Sequence, residues 1–555
     1  MGDKTGQLCA DRRHSWPTIH ALNRGSATAT ASYALISDRT PILCVELRHR
    51  RRITAPYAQV GDMPLVVVGT DRTQARRLQR LAQQGELRRI YPGIYTDDLM
   101  QPLEAIVRRE LFALCSLVAP GSIISHRSAL DGGRPTAAGN VFLTGANRRD
   151  FKLPGVTLRI TQGPGPLESD IRIPTFAGDA YISSQARALL ENLTASRGDA
   201  SERRTIGVAG VEAWLERFIS RDVSGGINKI RDAARAIAEP LGLQAQFEQL
   251  DGIIGALLGT RTVRLSARAA IARAAGRPYD DARITLFQTL AQELQRNPVQ
   301  VPPTDPRADT HVQAFVETYF SNYIEGTEFE LEEAHDIVVH GRPLRYREDD
   351  SHDILGTYQA ILQSKADPAT PQNFDAFAAQ LQEWNRQVIE SRAAKHPGEF
   401  KTEANRAGGT MFVTPELVLG TLEKGYEIIM SAPTPEQRAA LATFIVAEVH
   451  PFADGNGRTS RLALNLFLTQ AGLTRIIIPT VYRDDYISAL KALSSNAHPV
   501  PLVRMLTRAA RYSRWLDMRS KDTAFTALKH SNALEQPTAA KLTFDDAEIV
   551  VAPSH

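Results

Sequence analysis

Cysteine is scarce: three in 555 residues, Cys9, Cys44 and Cys115, none with a CxxC neighbour. That excludes a disulfide framework and argues against a structural zinc site. Long apolar runs are missing as well. The densest, residues 63–69 and 476–479, are of strand or buried-turn length, far short of the ~18 residues that cross a bilayer. The N-terminus has no basic stub followed by an apolar core, so no secretory signal is expected. These absences predict a reduced, soluble, cytoplasmic chain. Excess charge of one sign is also lacking. With 65 Lys+Arg and 62 Asp+Glu the balance is +3, which taken whole predicts no polyanionic partner. What is present is ordinary: 43% hydrophobic and 23% charged residues exclude a collagen, a coiled-coil rod and a wholly disordered chain. The length predicts about three or four domains.

The neutral balance hides an asymmetry. Residues 1–300 hold 40 Lys+Arg and 29 Asp+Glu, net +11, whereas residues 301–555 hold 25 and 33, net −8. Two regions with different partners would give this cancellation. Residues 1–62 are rich in Ala, Ser, Thr and Arg with weak periodicity, and residues 48–52 contain four arginines around His49. They read as a solvated, disordered extension rather than a nucleic-acid arm.

Regular structure is expected from Met63. Ala75, Leu78, Leu81 and Ala82 have helical spacing over residues 72–84, and Gly85 follows as a C-cap. Leu87-Arg88-Arg89-Ile90-Tyr91-Pro92-Gly93-Ile94-Tyr95 reads as two short strands around a Pro-Gly turn. Helix, glycine, strand, turn and strand make the second half of a winged helix-turn-helix, assigned to residues 63–100. Six arginines (Arg72, Arg76, Arg77, Arg80, Arg88, Arg89) against Asp71 and Glu86 suit phosphate contact, so DNA is the expected partner here. Gly85, Leu87, Arg89, Gly93 and Tyr95 resemble the Gly-x-Leu-x-Arg-x-x-x-Gly-x-Tyr pattern of AbiEi-type antitoxins and related regulators. The likeness continues through residues 124–130 and 141–145, about a fifth of the chain, and implies a DNA-binding regulatory module with an α/β region over 101–180. His126 lies there without a partner motif and reads as structural.

Residues 181–296 read as a helical connecting region: helices at 182–193, 211–219, 227–238, 244–258, 265–275 and 282–295, with no chemical motif. Residues 297–306, with three proline breaks, read as a linker. The chemistry lies beyond it, in Val449-His450-Pro451-Phe452-Ala453-Asp454-Gly455-Asn456-Gly457-Arg458-Thr459-Ser460-Arg461. Gly455-Asn456-Gly457 opens a helix, where free backbone N–H groups form an anion hole. Arg458 and Arg461 are three apart, share a helix face and can clamp phosphate oxygens. Asp454 is a hard oxygen ligand suited to Mg2+. His450 can take a proton from a hydroxyl. These are the parts of a nucleotide-phosphate transfer site.

The stretch resembles the Fic family motif His-x-Phe-x-(Asp/Glu)-Gly-Asn-Gly-Arg-x-x-Arg at every fixed position, with similarity over about 310–515. The resemblance implies a mainly α protein: a C-terminal all-helical Fic fold with a β-hairpin flap over 307–515, preceded by the winged-helix α+β region and the helical connector, with a tail at 516–555. It implies transfer of AMP from ATP, with Mg2+, to a Ser, Thr or Tyr hydroxyl of a target protein, releasing pyrophosphate. His450 would be the base and Asp454 the Mg2+ ligand. Gly455, Asn456, Gly457 and Arg458 would hold the α- and β-phosphates, and Arg461 the γ-phosphate. Tyr486 would lie near the adenine, and the flap residues Lys401, Thr402 and Phe412 would align the target by strand addition. Lys401 stands where the family often has Arg, and Tyr486-Ile487 where many members have two tyrosines.

Ser321-Asn322-Tyr323-Ile324-Glu325-Gly326 follows a helical pattern from Val312. It resembles the inhibitory motif (Ser/Thr)-x-x-x-Glu-(Gly/Asn) of autoinhibited Fic proteins. An inhibitory helix is implied over about 310–326, with Ser321 and Glu325 on one face and Glu325 pairing with Arg461. The alternatives are an enzyme that removes AMP, a nucleotide-sensing regulator, and a toxin–antitoxin fusion. Self-modification and a homodimer also stay open.

Overall fold

The computed structural model describes residues 65–68, 72–199, 202–221, 225–407 and 409–545. The expected extension at 1–62, with its arginine run, lies outside the described residues. Two compact units divide at residue 100.

In the first unit, strand Ile94–Thr96 lies between Leu65–Val67 and Arg88–Tyr91 in an antiparallel sheet. Helix Arg72–Gln83 precedes Gly85, whose φ of 78° is the left-handed value that ends the helix. Leu78, Leu87 and Tyr95 form a small core. Arg76, Arg77, Arg80 and Arg89 are exposed.

The second unit begins with a six-stranded mixed sheet in the order Arg149–Leu153, Val156–Gln162, Asn140–Gly145, Ile123–Ile124, Gly178–Ile182, Ile171–Thr175. His126 sits where Ile123–Ile124 gives way to a short helix, at φ 54°. Its N–H donates to Glu191 Oε2 at 2.9 Å and its Nδ1 contacts Ser125 Oγ at 2.8 Å. Burial, with Arg204 and Arg187 nearby, pushes the imidazole down to about 3. Its backbone N–H and Nδ1 are thus engaged within the fold. Helices Gln185–Asn192, Gly207–Arg221, Gly226–Leu241, Gln244–Leu257 and Arg268–Ala274 follow, with Leu189, Leu215, Ala234, Leu250 and Ile254 in their shared core.

The helix expected to close this connector does not belong to it. Helix Asp281–Arg296 places Ile284, Phe287, Leu290 and Leu294 on one face, and that face is buried in the same core as Phe444, Phe452 and Phe467. The proline-rich stretch after it is likewise packed, not a free linker. Val299 and Val301 are buried in that core. Thr474 N–H donates to Pro302 O at 2.9 Å, and Thr304 N–H to Gly472 O at 3.0 Å. Prolines stop a helix but leave carbonyls free to accept, so the stretch lies along the domain as a strap. The expected tail is structured as far as it is described. Helix Lys521–His530 and Leu542 pack with Phe315, Phe320 and Tyr512 in a second core. No helix among the described residues is long and apolar enough to cross a membrane.

Candidate active site

Helix Pro435–Val449 is apolar on nearly every side and buried accordingly. It stops at His450, which takes the left-handed conformation at φ 52°. For a non-glycine residue that costs on the order of 1–3 kcal/mol, and such strain gathers at functional sites. His450 Nδ1 lies 3.3 Å from Ala447 O. Donation there leaves Nε2 as the acceptor. Burial pushes the imidazole down to about 4, against a raising effect of the Ala447 carbonyl, and Lys401 lowers it further. The ring is therefore neutral near pH 7, the form a base requires.

The loop after His450 is fixed by its own side chains. Asn456 Oδ1 accepts from Phe452 N–H and its Nδ2 donates to Phe452 O, both at 2.9 Å. That side chain, 2% exposed, shapes the turn, leaving only its backbone N–H for an anion. Asp454 Oδ1 accepts from Gly455 N–H at 2.7 Å, and Asn385 Nδ2 donates to Asp454 O at 2.8 Å. Gly455 has φ 74°, and a Cβ there would meet Asn385 Nδ2 at 2.9 Å. Helix Asn456–Gln470 begins here, and its first N–H groups have no carbonyl of their own helix.

Both motif arginines are buried and held by the helix Thr310–Ile324. Arg461 donates from Nε to Ser321 Oγ at 3.0 Å, and from Nη2 to Ser321 O at 2.7 Å and Glu325 Oε1 at 2.8 Å. Arg458 Nη1 lies 2.7 Å from Asp353 Oδ2 and 3.2 Å from Asn322 Oδ1. Its Nε has no partner among the described residues. Glu325 caps the helix end, and Gly326 turns away at φ 92°. Burial would raise the Glu325 carboxyl, but Arg461 and then Arg458 outweigh it and hold the group below the usual carboxylate range. A Cβ on Gly457 would fall 2.0 Å from Glu325 Oε1. The carboxylate thus fills the space directly over the helix N-terminus.

A cavity of about 330 Å³ opens beside this pair, lined by Glu325, Phe412, His450, Gly457, Arg461 and Tyr486 among others. The Tyr486 hydroxyl has no partner among the described residues, although the residue is 2% exposed. The flap is a two-rung hairpin, Arg406–Ala407 with Thr410–Met411. The Phe412 ring lies on the His450 imidazole, centroids 3.8 Å apart and 7° from parallel. Thr402 is exposed. Lys401 departs from its expected place at a target: Nζ turns inward to Asn405 Oδ1 at 2.7 Å and Val449 O at 3.3 Å. Burial, then Arg283, lowers it to about 8. A cation beside the last carbonyls of a helix is favourably placed, which explains the inward turn.

Sequence reasoning missed several contributors. Asp353 is 1% exposed and holds Arg458 and Arg392, the latter through Nη2 at 2.8 Å. It carries no motif. Asn322 occupies a variable position of the inhibitory motif, and Asn385 lies far upstream of the loop it braces. Their signal is three-dimensional.

Residues 373–468 match the model of the Fic/DOC family. Protein adenylyltransferase fic-1 of Caenorhabditis briggsae is 28% identical over 185 residues, 32% of this chain and 36% of that protein. Protein adenylyltransferase Fic of Drosophila sechellia is 31% identical over 201 residues, 35% and 39% of the two. The chain thus spans under two fifths of the length of these curated relatives. The solved structure "Fic-1 (aa134 - 508) from C. elegans" is 19% identical, with a TM-score of 0.32, over 58% of this chain and 99% of that one. The similarity to the Fic/DOC family thus takes in both the hairpin flap and the His450 loop.

Proposed function

We propose that this Fic domain is a protein adenylyltransferase restrained by Glu325. The observation that carries the reading is a neutral His450 sharing one cavity with Arg461 and the helix N-terminus, while Glu325 occupies the anion position. His450 Nε2 takes the proton of a target Ser, Thr or Tyr hydroxyl. That oxygen bonds to the α-phosphorus of ATP, the bond from this phosphorus to the oxygen bridging the β-phosphate breaks, and pyrophosphate leaves. Backbone N–H groups of Asn456, Gly457 and Arg458 face the developing charge. Arg461, once freed of Glu325, takes the γ-phosphate, and the unpartnered Arg458 Nε adds a donor. Tyr486 offers its free hydroxyl to the base end of the nucleotide.

Among the described residues no three His, Cys, Asp or Glu groups gather to hold a metal. A single half-buried carboxylate fits Mg2+, which keeps waters and substrate phosphates as its other ligands. Asp454 would hold it through the oxygen not bonded to Gly455, and the ion would neutralise phosphate charge. The exposed Arg76, Arg77, Arg80 and Arg89 of the first unit support a DNA-binding role for that module. A binding constant that falls steeply with salt would support this, and one flat in salt would remove it.

The test of the enzyme reading is labelling by ATP tagged at the α-phosphate. Glu325→Gly is expected to raise labelling, and adding His450→Ala to abolish it. Glu325 lines the same cavity as His450, so the reverse reaction has a structural footing as well. Supplying AMP-modified protein separates the two: removal that depends on Glu325 would favour that second reading.

A further inference from the structure

The flap is held from outside the matched domain. Arg283 stands in the first turn of helix Asp281–Arg296, in the region read from sequence as a connector. Its Nη2 donates to Met411 O at 2.6 Å. Its Nη1 pairs with Glu448, and its Nε lies 3.8 Å from Asp280 Oδ2. Glu448 accepts from Ser494 Oγ at 2.6 Å through its other oxygen, and lines the cavity two residues before His450. Met411 directly precedes Phe412, the ring that lies on His450. One guanidinium therefore joins the second flap strand to the last turn of the helix that carries the base.

The flap needs such an anchor. Its ladder has two rungs, and an isolated hairpin is marginal in water even when longer. Lys401 and Asn405 secure the first foot, where Asn405 Nδ2 also donates to Phe452 O at 2.9 Å. At the second foot, Phe412 N–H reaches Asn405 O at 3.3 Å and Arg283 holds Met411. The planar fork of arginine holds a carbonyl and a carboxylate at a fixed spacing, a geometry that the single nitrogen of lysine does not span. Arg283 is 17% exposed in its side chain and Glu448 5%, so water competes little for either bond.

We propose that Arg283 is a positioning residue for the protein target. It fixes the flap strand over His450, so that an extended target segment pairing with the flap presents its hydroxyl to that imidazole. This rests on the adenylyltransferase reading. It also gives the helix before the strap a part in the site.

The experiment uses the full chain carrying Glu325→Gly, with and without Arg283→Gln or Arg283→Lys. The lysine variant keeps a cation beside Glu448 and guards against misfolding. Hydrogen exchange at residues 410–413 reads the hold on the flap directly. Exchange there is expected to quicken about tenfold in both variants, the loss of one charge-assisted bond. Labelling of a full-length His450→Ala acceptor, titrated against each enzyme, separates KM from kcat. The expectation is a KM raised about tenfold with kcat changed far less. Unchanged exchange in both folded variants, or a fall confined to kcat, would overturn the proposal. If Glu325→Gly labels nothing, the enzyme reading fails, and the exchange result alone still decides whether Arg283 holds the flap.

Discussion

Two buried arginines in this chain do opposite things. Arg187, 0% exposed, lies 2.6 Å from Asp170 and 2.8 Å from Glu191, and donates to Gly165 O and Pro164 O at 2.8 and 2.7 Å. Its carboxylate partners are 0% and 7% exposed. Arg461 is 6% exposed, but its partner Glu325 is 30% exposed and borders a cavity. The first pair is closed on all sides and ties a sheet to its helices. The second is closed on one side and open to a cavity on the other, where the proposed nucleotide phosphate would take the carboxylate's place. What separates a structural ion pair from an exchangeable one is access to the weaker-held partner, not burial of the cation.

The contrast between the two arginines has measurable consequences. The largest expected effect on the molecule is from Arg187→Met, which strands two buried carboxylates. It should cost about 3–5 kcal/mol in denaturant unfolding. Glu325→Gly should cost under about 1 kcal/mol in the same assay, since its side chain is partly solvated. Equal losses would erase the distinction. For function, His450→Ala in the Glu325→Gly chain should take labelling below detection, a fall of roughly 10⁴-fold at the upper end of a general base's usual contribution. Glu325→Gly alone should tighten ATP binding by roughly ten- to a hundredfold, as a charge-assisted competitor is removed.

The smallest and most specific effect concerns pH. His450 and His126 fall from 6.5 to about 4 and about 3 in the folded chain. The unfolded chain therefore binds more protons between those values and 6.5. Stability should be full above pH 6.5 and decline as pH falls through this window. Likewise the labelling rate of the Glu325→Gly chain should show no loss near 6.5, with its acid limb well below that, since removing the Glu325 charge takes away an influence that raises His450. An inflection near 6.5 would mean that the active His450 is solvated.

The loop from Val449 to Arg461 was legible as a unit because its parts are local. Helix end, glycines and arginines fall within thirteen consecutive residues, and each has a reason to be there. Glu325 was legible as a second motif, and its contact with Arg461 is the one that motif implies. Arg283, Asp353 and Asn385 were illegible because each reaches the site from a separate helix, and a lone Arg, Asp or Asn has no spacing to betray it. The proline strap misled for a physical reason. Proline reports where a helix stops, not whether the segment packs, and Val299 and Val301 between the prolines were the better signal. Lys401 was assigned to the target only by the resemblance of the flap, whereas its ammonium lies against the end of the helix leading to His450.

The central claim is that Glu325 holds Arg461 in place of a nucleotide phosphate. Its most direct measurement is mass spectrometry of protein incubated with ATP, comparing the native chain, Glu325→Gly, and Glu325→Gly with His450→Ala. The mass of one AMP on protein side chains is expected, strong in the second sample, weak in the first and absent from the third. Equal modification in the first two, with both chains folded, would contradict it.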